Sequence, residues 1–192
     1  SLSARVRITF FRLSDGYYYP KTNNTHFFIE SEKSIKNKYV INQSGLNVAI
    51  YKENILSKNH IGNIKSNNRL INIMASIYAK ENNFDDCLLI NFDHNIVESI
   101  SGNIFILSDG FLQTPPLNDG CVDGVMRRII LKEKSLNIVE KSISVLDLFN
   151  AEEVFITNVI IGVKWVGVIR SSVYKNDTST KLIDILNEKY LI

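Results

Sequence analysis

The sequence predicts a mixed α+β fold, because it combines two kinds of apolar pattern. Residues 87–91 and 96–100 are short apolar runs on either side of an Asp-His-Asn turn, which is typical of a β-hairpin. Elsewhere, apolar residues recur at spacings of three and four: Leu70, Ile73, Met74 and Ile77. That spacing indicates an amphipathic helix. With 192 residues, 45% of them hydrophobic, the chain is long enough to bury a core.

The remaining elements are predicted in chain order. The alternation of residues 5–12 predicts a strand that pairs with residues 26–30 after an Asp-Gly turn. Further strands are predicted at residues 39–42, 46–51, 87–91 and 96–100, in a meander that reaches residue 113, and at residues 154–157 and 163–169. Helices are predicted after Lys65, from Val125 onward, and at residues 142–149 and 180–190.

A change in composition predicts the division into domains. Residues 31–38 are charged and polar, which indicates a connection between two parts of the chain. We place the linker at residues 34–38. Residues 1–33 are then expected to form one part, and residues 39–192 the other.

Composition and charge exclude several classes of function. A net charge of +2 gives no sign of nucleic-acid or polybasic membrane binding. No apolar run approaches the roughly 20 residues that span a bilayer. The N-terminus lacks a secretory signal pattern, so we expect a cytoplasmic protein.

Cys87 and Cys121 have no Cys-x-x-Cys or histidine spacing, so no metal site is predicted. Cys87 is interpreted as a core residue, and Cys121 as a packing residue or, alternatively, an oxidisable one.

Glu98 is a candidate functional residue because it lies within an apolar strand. Alternation places it on the same face as Ile96 and Ile100. A carboxylate among apolar neighbours costs several kcal/mol or takes up a proton, so we expect a cationic or proton-donating partner. The alternative is an edge strand whose glutamate points to solvent.

The start of the predicted helix at Val125 is a candidate anion site. Asp123 is the predicted N-cap, and Gly124 would let a ligand approach the backbone. The amides of Val125 and Met126 would point outward at the positive end of the helix, where a phosphate binds favourably. The alternative is a capped helix that binds nothing.

Lys65 is a candidate nucleophile. We predict it at the entrance of the helix that contains Leu70, where the helix dipole disfavours a cation and favours the neutral amine. A lysine in that position can form a Schiff base with a carbonyl compound. The alternative is an ordinary solvated lysine.

These candidates occur in an ordered series of motifs. The series comprises Lys65 with Asn68-Arg69-Leu70, Glu98 with Ser101-Gly102-Asn103-Ile104-Phe105, Thr114-Pro115-Pro116-Leu117, and Gly120 with Gly124-Val125-Met126-Arg127. The series resembles the class IV aminotransferase family, the fold type IV pyridoxal phosphate enzymes. The resemblance extends from Arg5 to about Gly167, and its strongest motifs lie between Lys65 and Arg128.

The resemblance implies a role for each motif residue. Lys65 would bond to the cofactor aldehyde and move the proton at the substrate α carbon, and Glu98 would pair with the pyridinium nitrogen. The family's phosphate site would use the backbone amides of Val125 and Met126. The other cofactor contacts that it implies are Arg69, Asn103, Val122, Gly124, Asn158 and Val159.

The resemblance also implies an architecture. Residues 1–33 would be a remnant of a small N-terminal α/β domain, and residues 39–192 a larger pseudo-barrel domain that binds the cofactor. Family members begin with a further segment that supplies an arginine for the cofactor phosphate, and this sequence offers no equivalent of it. The chain is therefore expected to be either a fragment or a shortened homologue. The family implies a homodimer.

Within the family, two details favour a lyase. The string Lys65-x-x-Asn68-Arg69-Leu70 is similar to aminodeoxychorismate lyases, and so is the segment around Asn158 and Val159. The implied reaction converts 4-amino-4-deoxychorismate to 4-aminobenzoate and pyruvate, a step of folate synthesis. A branched-chain or D-amino acid aminotransferase of the same fold is the alternative, and a non-catalytic homologue is the third possibility.

Overall fold

The computed structural model describes residues 3–34 and 37–190. Contacts between residues divide the chain into two units, with the division after Lys38. In the first unit, β1 (Ser3–Arg12) pairs with β2 (Thr25–Ser34) in an antiparallel hairpin with Ile8 opposite Ile29. The predicted hairpin is confirmed.

The second strand of this hairpin is longer than the sequence predicts. Residues 31–33 of the charged and polar stretch, and residue 34 of the predicted linker, lie within β2. Their charges do not mark a connection, because Glu30 and Glu32 face arginines across the hairpin. Arg7 lies 3.8 Å from Glu30 and Arg5 lies 3.7 Å from Glu32, so these charges form cross-strand pairs.

The second unit is a mixed sheet with helices packed on it. Its strands are β3 (Leu46–Leu56), β4 (Asp86–Asn91), β5 (Ile96–Ser99), β6 (Asn103–Ser108), β7 (Phe111–Thr114), β8 (Ile138–Glu140), β9 (Glu153–Asn158), β10 (Gly162–Ile169) and β11 (Ser172–Val173). Its α-helices are α1 (Leu70–Glu81), α2 (Val125–Leu131), α3 (Val145–Asn150) and α4 (Asp177–Tyr190). A short 3-10 helix covers Leu117–Asp119. The predicted α+β class is confirmed.

The sheet runs in the order β5-β4-β3-β10-β9-β6-β7-β8, and β11 pairs with β10. The predicted meander is therefore correct for its two hairpins, β4-β5 and β6-β7. It is wrong in placing these hairpins side by side, since they lie at opposite ends of the sheet. The sheet curls so that its ends approach each other. Ile96 of β5 forms a bridge to Ile143, which follows β8, with a backbone hydrogen bond of 2.8 Å. This curl produces the half-barrel.

Alternation along the strands sends neighbouring side chains to opposite faces of this curled sheet. Ile104 and Ile106 of β6 join one core cluster, together with Val48, Leu88 and Ile156. Phe105, between them, joins a second cluster with residues of α2 and α4: Met126, Ile130, Leu182, Ile183 and Leu186. A third cluster packs α1 on β3 and β4 through Ala75, Ala79, Tyr51 and Leu89.

The strand predicted at residues 39–42 does not form. The backbone of Tyr39 bonds to the side-chain amide of Asn187 on α4, with N–H to Oδ1 at 2.8 Å and carbonyl to Nδ2 at 2.9 Å. Asn42 in turn bonds through its side chain to the backbone of Trp165. The side-chain amides of Asn187 and Asn42 thus make hydrogen bonds that a neighbouring strand would otherwise make. The sequence pattern does not reveal these bonds.

Within residues 3–34 and 37–190, no helix is long and apolar enough to cross a membrane.

Candidate functional site

A cavity of about 260 Å³ lies between the segment before α1, the start of α1, and β5. Glu98 and Arg69 supply its charged groups, and Gly62 and Gly120 lie in its wall. Its side-chain amides come from Asn59, Asn68 and Asn72. The two glycines allow a close backbone approach, because a Cβ on Gly62 would lie 2.8 Å from the Gly120 carbonyl oxygen.

Glu98 faces this cavity because of an irregularity in β5. Leu89 of β4 lies opposite Glu98, but the next residue, Ile90, lies opposite Ile96, so β5 contains one extra residue at this point. A β-bulge of this kind re-aims a side chain. Ile96 consequently packs with Ile90 in the first cluster, whereas Glu98 lies on the side of Leu89 and Ile100. The predicted shared face is correct for Ile100 and wrong for Ile96.

The carboxylate of Glu98 is buried, with 4% of the residue exposed, so the solvent-facing alternative is excluded. Its Oε2 accepts a hydrogen bond of 2.8 Å from the Val122 amide. Its Oε1 lies 3.4 Å from Nη1 of Arg69. The predicted cationic partner is therefore present, and it comes from within the chain.

Burial raises the pKa of Glu98 above its ordinary value of 4.5. The Val122 amide, the positive charges of Arg69 and Lys65, and a hydrogen bond from Asn72 all act in the opposite direction. A positive group that entered the cavity would add to that stabilisation of the carboxylate.

Lys65 lies in the irregular segment before α1, and not at the helix entrance as predicted. The helix begins at Leu70, and its N-cap is Arg69. Since the dipole effect is confined to the first turn, it does not act on this lysine. The Lys65 side chain is exposed, while its neighbours Ile64 and Ser66 line the cavity. Its charge is close enough to lower the pKa of Glu98.

Arg69 contacts both Glu98 and the segment that contains Lys65. Its Nη1 faces Glu98, and its Nη2 donates a 3.1 Å hydrogen bond to the carbonyl of Ile64, the residue before Lys65. Its side chain is 23% exposed. One guanidinium thus links the Lys65 segment to the buried carboxylate.

The start of α2 lies close in space to the same carboxylate, because Val122, which precedes the helix, donates to Glu98. The helix begins at Val125, as predicted, but its N-cap is Gly124 and not Asp123. Asp123 is instead 3.5 Å from Arg128. Within the helix, Arg128 donates to the carbonyl of Gly124, so the amides of the preceding turn have no acceptor inside the helix.

Val122 is held on both sides. Its amide donates to Glu98, and its carbonyl accepts a 2.8 Å hydrogen bond from Nδ2 of Asn103. Asn103 is buried at the start of β6. Its side chain therefore connects β6 to the segment that leads into α2.

Asn158 and Val159 lie at the turn between β9 and β10. The Oδ1 of Asn158 accepts from the amides of Ile160 and Ile161, and its Nδ2 donates to the Ser101 carbonyl at 2.9 Å. Val159 is 48% exposed. The Asn158 side chain thus joins this turn to the loop between β5 and β6.

Three polar residues that support the site escaped sequence reasoning. Asn63 donates to the carbonyls of Leu117 and Cys121, which ties the Lys65 segment to the segment before α2. Asn72 donates to the carbonyl of Ile100. Asp86 accepts from the amide of Ile100 and the hydroxyl of Ser101. Asn72 offered one signal, since it is a polar residue within an otherwise apolar helical stretch.

Metal-ligating residues do not cluster in the part of the chain that the structure describes: no three His, Cys, Asp or Glu side chains there could hold a metal ion. Cys87 and Cys121 are both buried, and neither forms a disulfide. The interpretation of Cys87 as a core residue is confirmed, and Cys121 packs against the carbonyls of Pro115 and Pro116.

Comparison with known proteins places this geometry in a family. The family model described as Amino-transferase class IV matches residues 1–168. The chain belongs to the class IV aminotransferase family. Members of this family are pyridoxal 5'-phosphate-dependent enzymes, and the resemblance seen in the motifs is confirmed.

Relatives within this family differ in activity. The chain is 34% identical over 98 residues to the D-alanine aminotransferase of Bacillus licheniformis, which covers 50% of this chain and 34% of that protein. It is 29% identical over 102 residues to the aminodeoxychorismate lyase of Vibrio harveyi, covering 52% of this chain and 38% of that protein. The chain spans less than half of the length of these curated relatives.

The fold agrees with solved structures of the family. The branched-chain amino acid aminotransferase of Thermobaculum terrenum, solved in its PLP-form, matches with a TM-score of 0.84 at 17% identity. The match covers 96% of this chain and 63% of that one. The expected fold type IV architecture is confirmed.

Proposed function

We propose that this chain forms the pyridoxal phosphate-binding part of an enzyme that acts on a small substrate with an amino group. The observation that best supports the proposal is the buried Glu98 carboxylate on a cavity whose wall includes both neighbours of Lys65. An amine can bond to the cofactor aldehyde, and a buried carboxylate can pair with its protonated pyridine nitrogen.

The residues present fit the cofactor. The 3.4 Å separation between Glu98 and Arg69 exceeds the roughly 2.7–2.9 Å of a charge-assisted hydrogen bond. A carboxylate oxygen has two lone pairs, so Oε1 can accept from a further donor such as a protonated pyridine nitrogen. The first turn of α2, with Gly124 as its N-cap, supplies backbone amides suited to phosphate.

When bound, pyridoxal phosphate supplies an electron sink for negative charge at the substrate α carbon. In our proposal Lys65 would supply the amine that holds the cofactor through its aldehyde and, once displaced by the substrate amine, would carry the proton at that carbon. Glu98 would keep a proton on the pyridine nitrogen, because an ion pair stabilises the protonated ring in a buried site. The remaining contacts are assigned to Arg69, Asn103, Val122, Gly124, Val125, Met126, Asn158 and Val159.

For the reaction, we propose a lyase that resembles aminodeoxychorismate lyase. The sequence Lys65-x-x-Asn68-Arg69-Leu70 supports it, together with the relative in Vibrio harveyi. A second candidate is a branched-chain or D-amino acid aminotransferase. The apolar side chains of Ile61, Ile64 and Leu70 in the cavity wall favour that alternative, since they suit an aliphatic substrate.

We further propose a cytoplasmic homodimer in which residues 1–33 are part of a small N-terminal domain.

Borohydride reduction tests the cofactor site. Protein incubated with pyridoxal phosphate should become yellow, and reduction should leave the phosphopyridoxyl group on the peptide that contains Lys65, as detected by mass spectrometry. Lys65→Ala should stay colourless, whereas Lys58→Ala, a nearby lysine on another part of the segment, should still become labelled at Lys65. A colourless wild type would refute the proposal and favour the non-catalytic homologue.

Product analysis separates the two reactions. A lyase should release pyruvate from aminodeoxychorismate, while an aminotransferase should form glutamate from 2-oxoglutarate and a branched-chain or D-amino acid. Glutamate formation without pyruvate release would replace the lyase by the aminotransferase and leave the cofactor site unchanged.

A further inference from the structure

Arg69 occupies an unusual position among the residues of the site. It is the N-cap residue of α1, with φ of −121° and ψ of 34°, and its side chain makes no capping hydrogen bond. Instead the side chain extends to Glu98 and to the carbonyl of Ile64. Residue 69 therefore uses its guanidinium to join two separate segments.

The two acceptors of this guanidinium lie beside or within the two side chains that the proposed reaction uses, Lys65 and Glu98. Ile64 precedes Lys65, and Glu98 is buried on β5. Glu98 has a second anchor, since Val122 donates to its other oxygen. Among the described residues, Arg69 supplies the side-chain hydrogen bond from the cavity wall to the carbonyl beside Lys65.

We propose that Arg69 is a positioning residue that holds the backbone beside Lys65 and the Glu98 carboxylate at a set separation across the cavity. This inference rests on the proposed function. A guanidinium suits this task because its planar, permanently charged fork donates in more than one direction at once. A lysine ammonium is a point charge on a flexible stem and cannot reproduce the fork.

The contact also bears on the charge of the site. The charged groups that act on Glu98 are Arg69 at the start of α1 and Lys65 in the preceding segment. The Glu98 charge in turn helps to raise the pKa of the Cys121 thiol before α2. Burial favours protonation of Glu98, and the Arg69 charge opposes it. The same guanidinium that positions Glu98 therefore also helps to keep it ionised.

Two variants separate position from charge. Arg69→Lys keeps the positive charge and loses the fork, while Arg69→Gln loses both. Arg128→Gln is the matched control, because Arg128 pairs with Asp123 on the exposed side of α2 and does not contact Glu98.

The first measurements use the protein without cofactor. Amide hydrogen exchange at residues 64–66 should become at least several-fold faster in both Arg69 variants, since the Ile64 carbonyl loses its side-chain donor and keeps only the Ser66 amide, and should stay unchanged in Arg128→Gln. An NMR titration of the Glu98 carboxyl carbon should move to higher pH in Arg69→Gln and much less in Arg69→Lys. Unchanged exchange together with an unchanged titration would overturn the inference.

The last measurement uses the protein loaded with pyridoxal phosphate. The pH at which its visible absorbance changes should shift in both Arg69 variants and stay constant in Arg128→Gln. If the wild type never becomes yellow, the proposed function fails, yet the two cofactor-free measurements still decide the role of Arg69. If Arg69→Gln does not fold, Arg69→Lys alone decides, because its exchange at residues 64–66 must rise.

Discussion

The side chain of Asn103 occupies the space that a side chain at residue 124 would need. A Cβ built on Gly124 would lie 2.1 Å from Oδ1 of Asn103, while Nδ2 of the same amide donates to the Val122 carbonyl at 2.8 Å. One amide therefore holds the segment before α2 and requires a glycine at the N-cap. The backbone itself does not require glycine, since φ at Gly124 is −70°.

Gly124→Ala should lower the free energy of unfolding by about 1–3 kcal/mol, the usual cost of forcing an extra carbon into a packed site. Urea unfolding followed by circular dichroism measures the loss. In an Asn103→Ala background the same alanine should cost less, because the clashing atom is gone. An equal cost in both backgrounds would show that Asn103 is not the cause.

Glu98 predicts a pH-dependent stability. Its pKa in the folded protein is raised above the ordinary 4.5 by burial, so the folded state binds this proton more tightly than the unfolded state. The resulting stabilisation is complete below pH 4.5 and is lost as the pH rises through the folded pKa.

Glu98→Gln removes that titration. In cofactor-free protein, the stability of Glu98→Gln relative to wild type should increase as the pH rises above 4.5, as measured by urea unfolding. Glu81→Gln, at an exposed carboxylate on the end of α1, controls for the loss of one charge. A relative stability that stays constant or falls with pH would contradict the expected sign.

Phe155 should be among the most costly core positions. It is fully buried on β9, lies opposite Phe105 of β6, and stacks on it with ring centroids 5.3 Å apart. Phe155→Ala should lower the free energy of unfolding by about 3–5 kcal/mol, because it removes apolar contacts and leaves a cavity beneath α2 and α4. Phe111→Ala, at a side chain that is 47% exposed, should cost far less. Similar losses at the two positions would argue against the stacked core.

The cysteines should be unreactive in the native state. Cys87 and Cys121 are 0% and 1% exposed, and burial raises their pKa values to about 11 and about 12. A thiol that is neither exposed nor ionised reacts slowly. Native protein at neutral pH should therefore show no rapid reaction with a disulfide reagent such as DTNB, whereas protein in urea should react at both thiols. Rapid native labelling at Cys121 would restore the oxidisable interpretation.

Local patterns were sufficient for the elements whose partners are near in sequence. The β4-β5 hairpin, the presence of a helix at the apolar repeat of α1 and the start of α2 at Val125 all follow from turns and periodicity. The series of motifs was also sufficient for the family. In contrast, the apolar repeat did not predict burial: Leu70, Ile73, Met74 and Ile77 are all exposed, and α1 packs through Asn72, Ala75 and Ala79.

The sequence by itself determined the residue types of the site, their order and the α+β class, because these depend on local spacing. Tertiary structure alone decided how the side chains meet. The extra residue in β5 turned Glu98 away from Ile96 and toward α1, and Arg69 then reached both Glu98 and the carbonyl beside Lys65. The alternation of apolar residues does not show where a strand contains a bulge. The sequence around an N-cap arginine likewise does not show which groups accept hydrogen bonds from it. Both are set by the register between strands and by helix packing, which join residues that are distant in the chain.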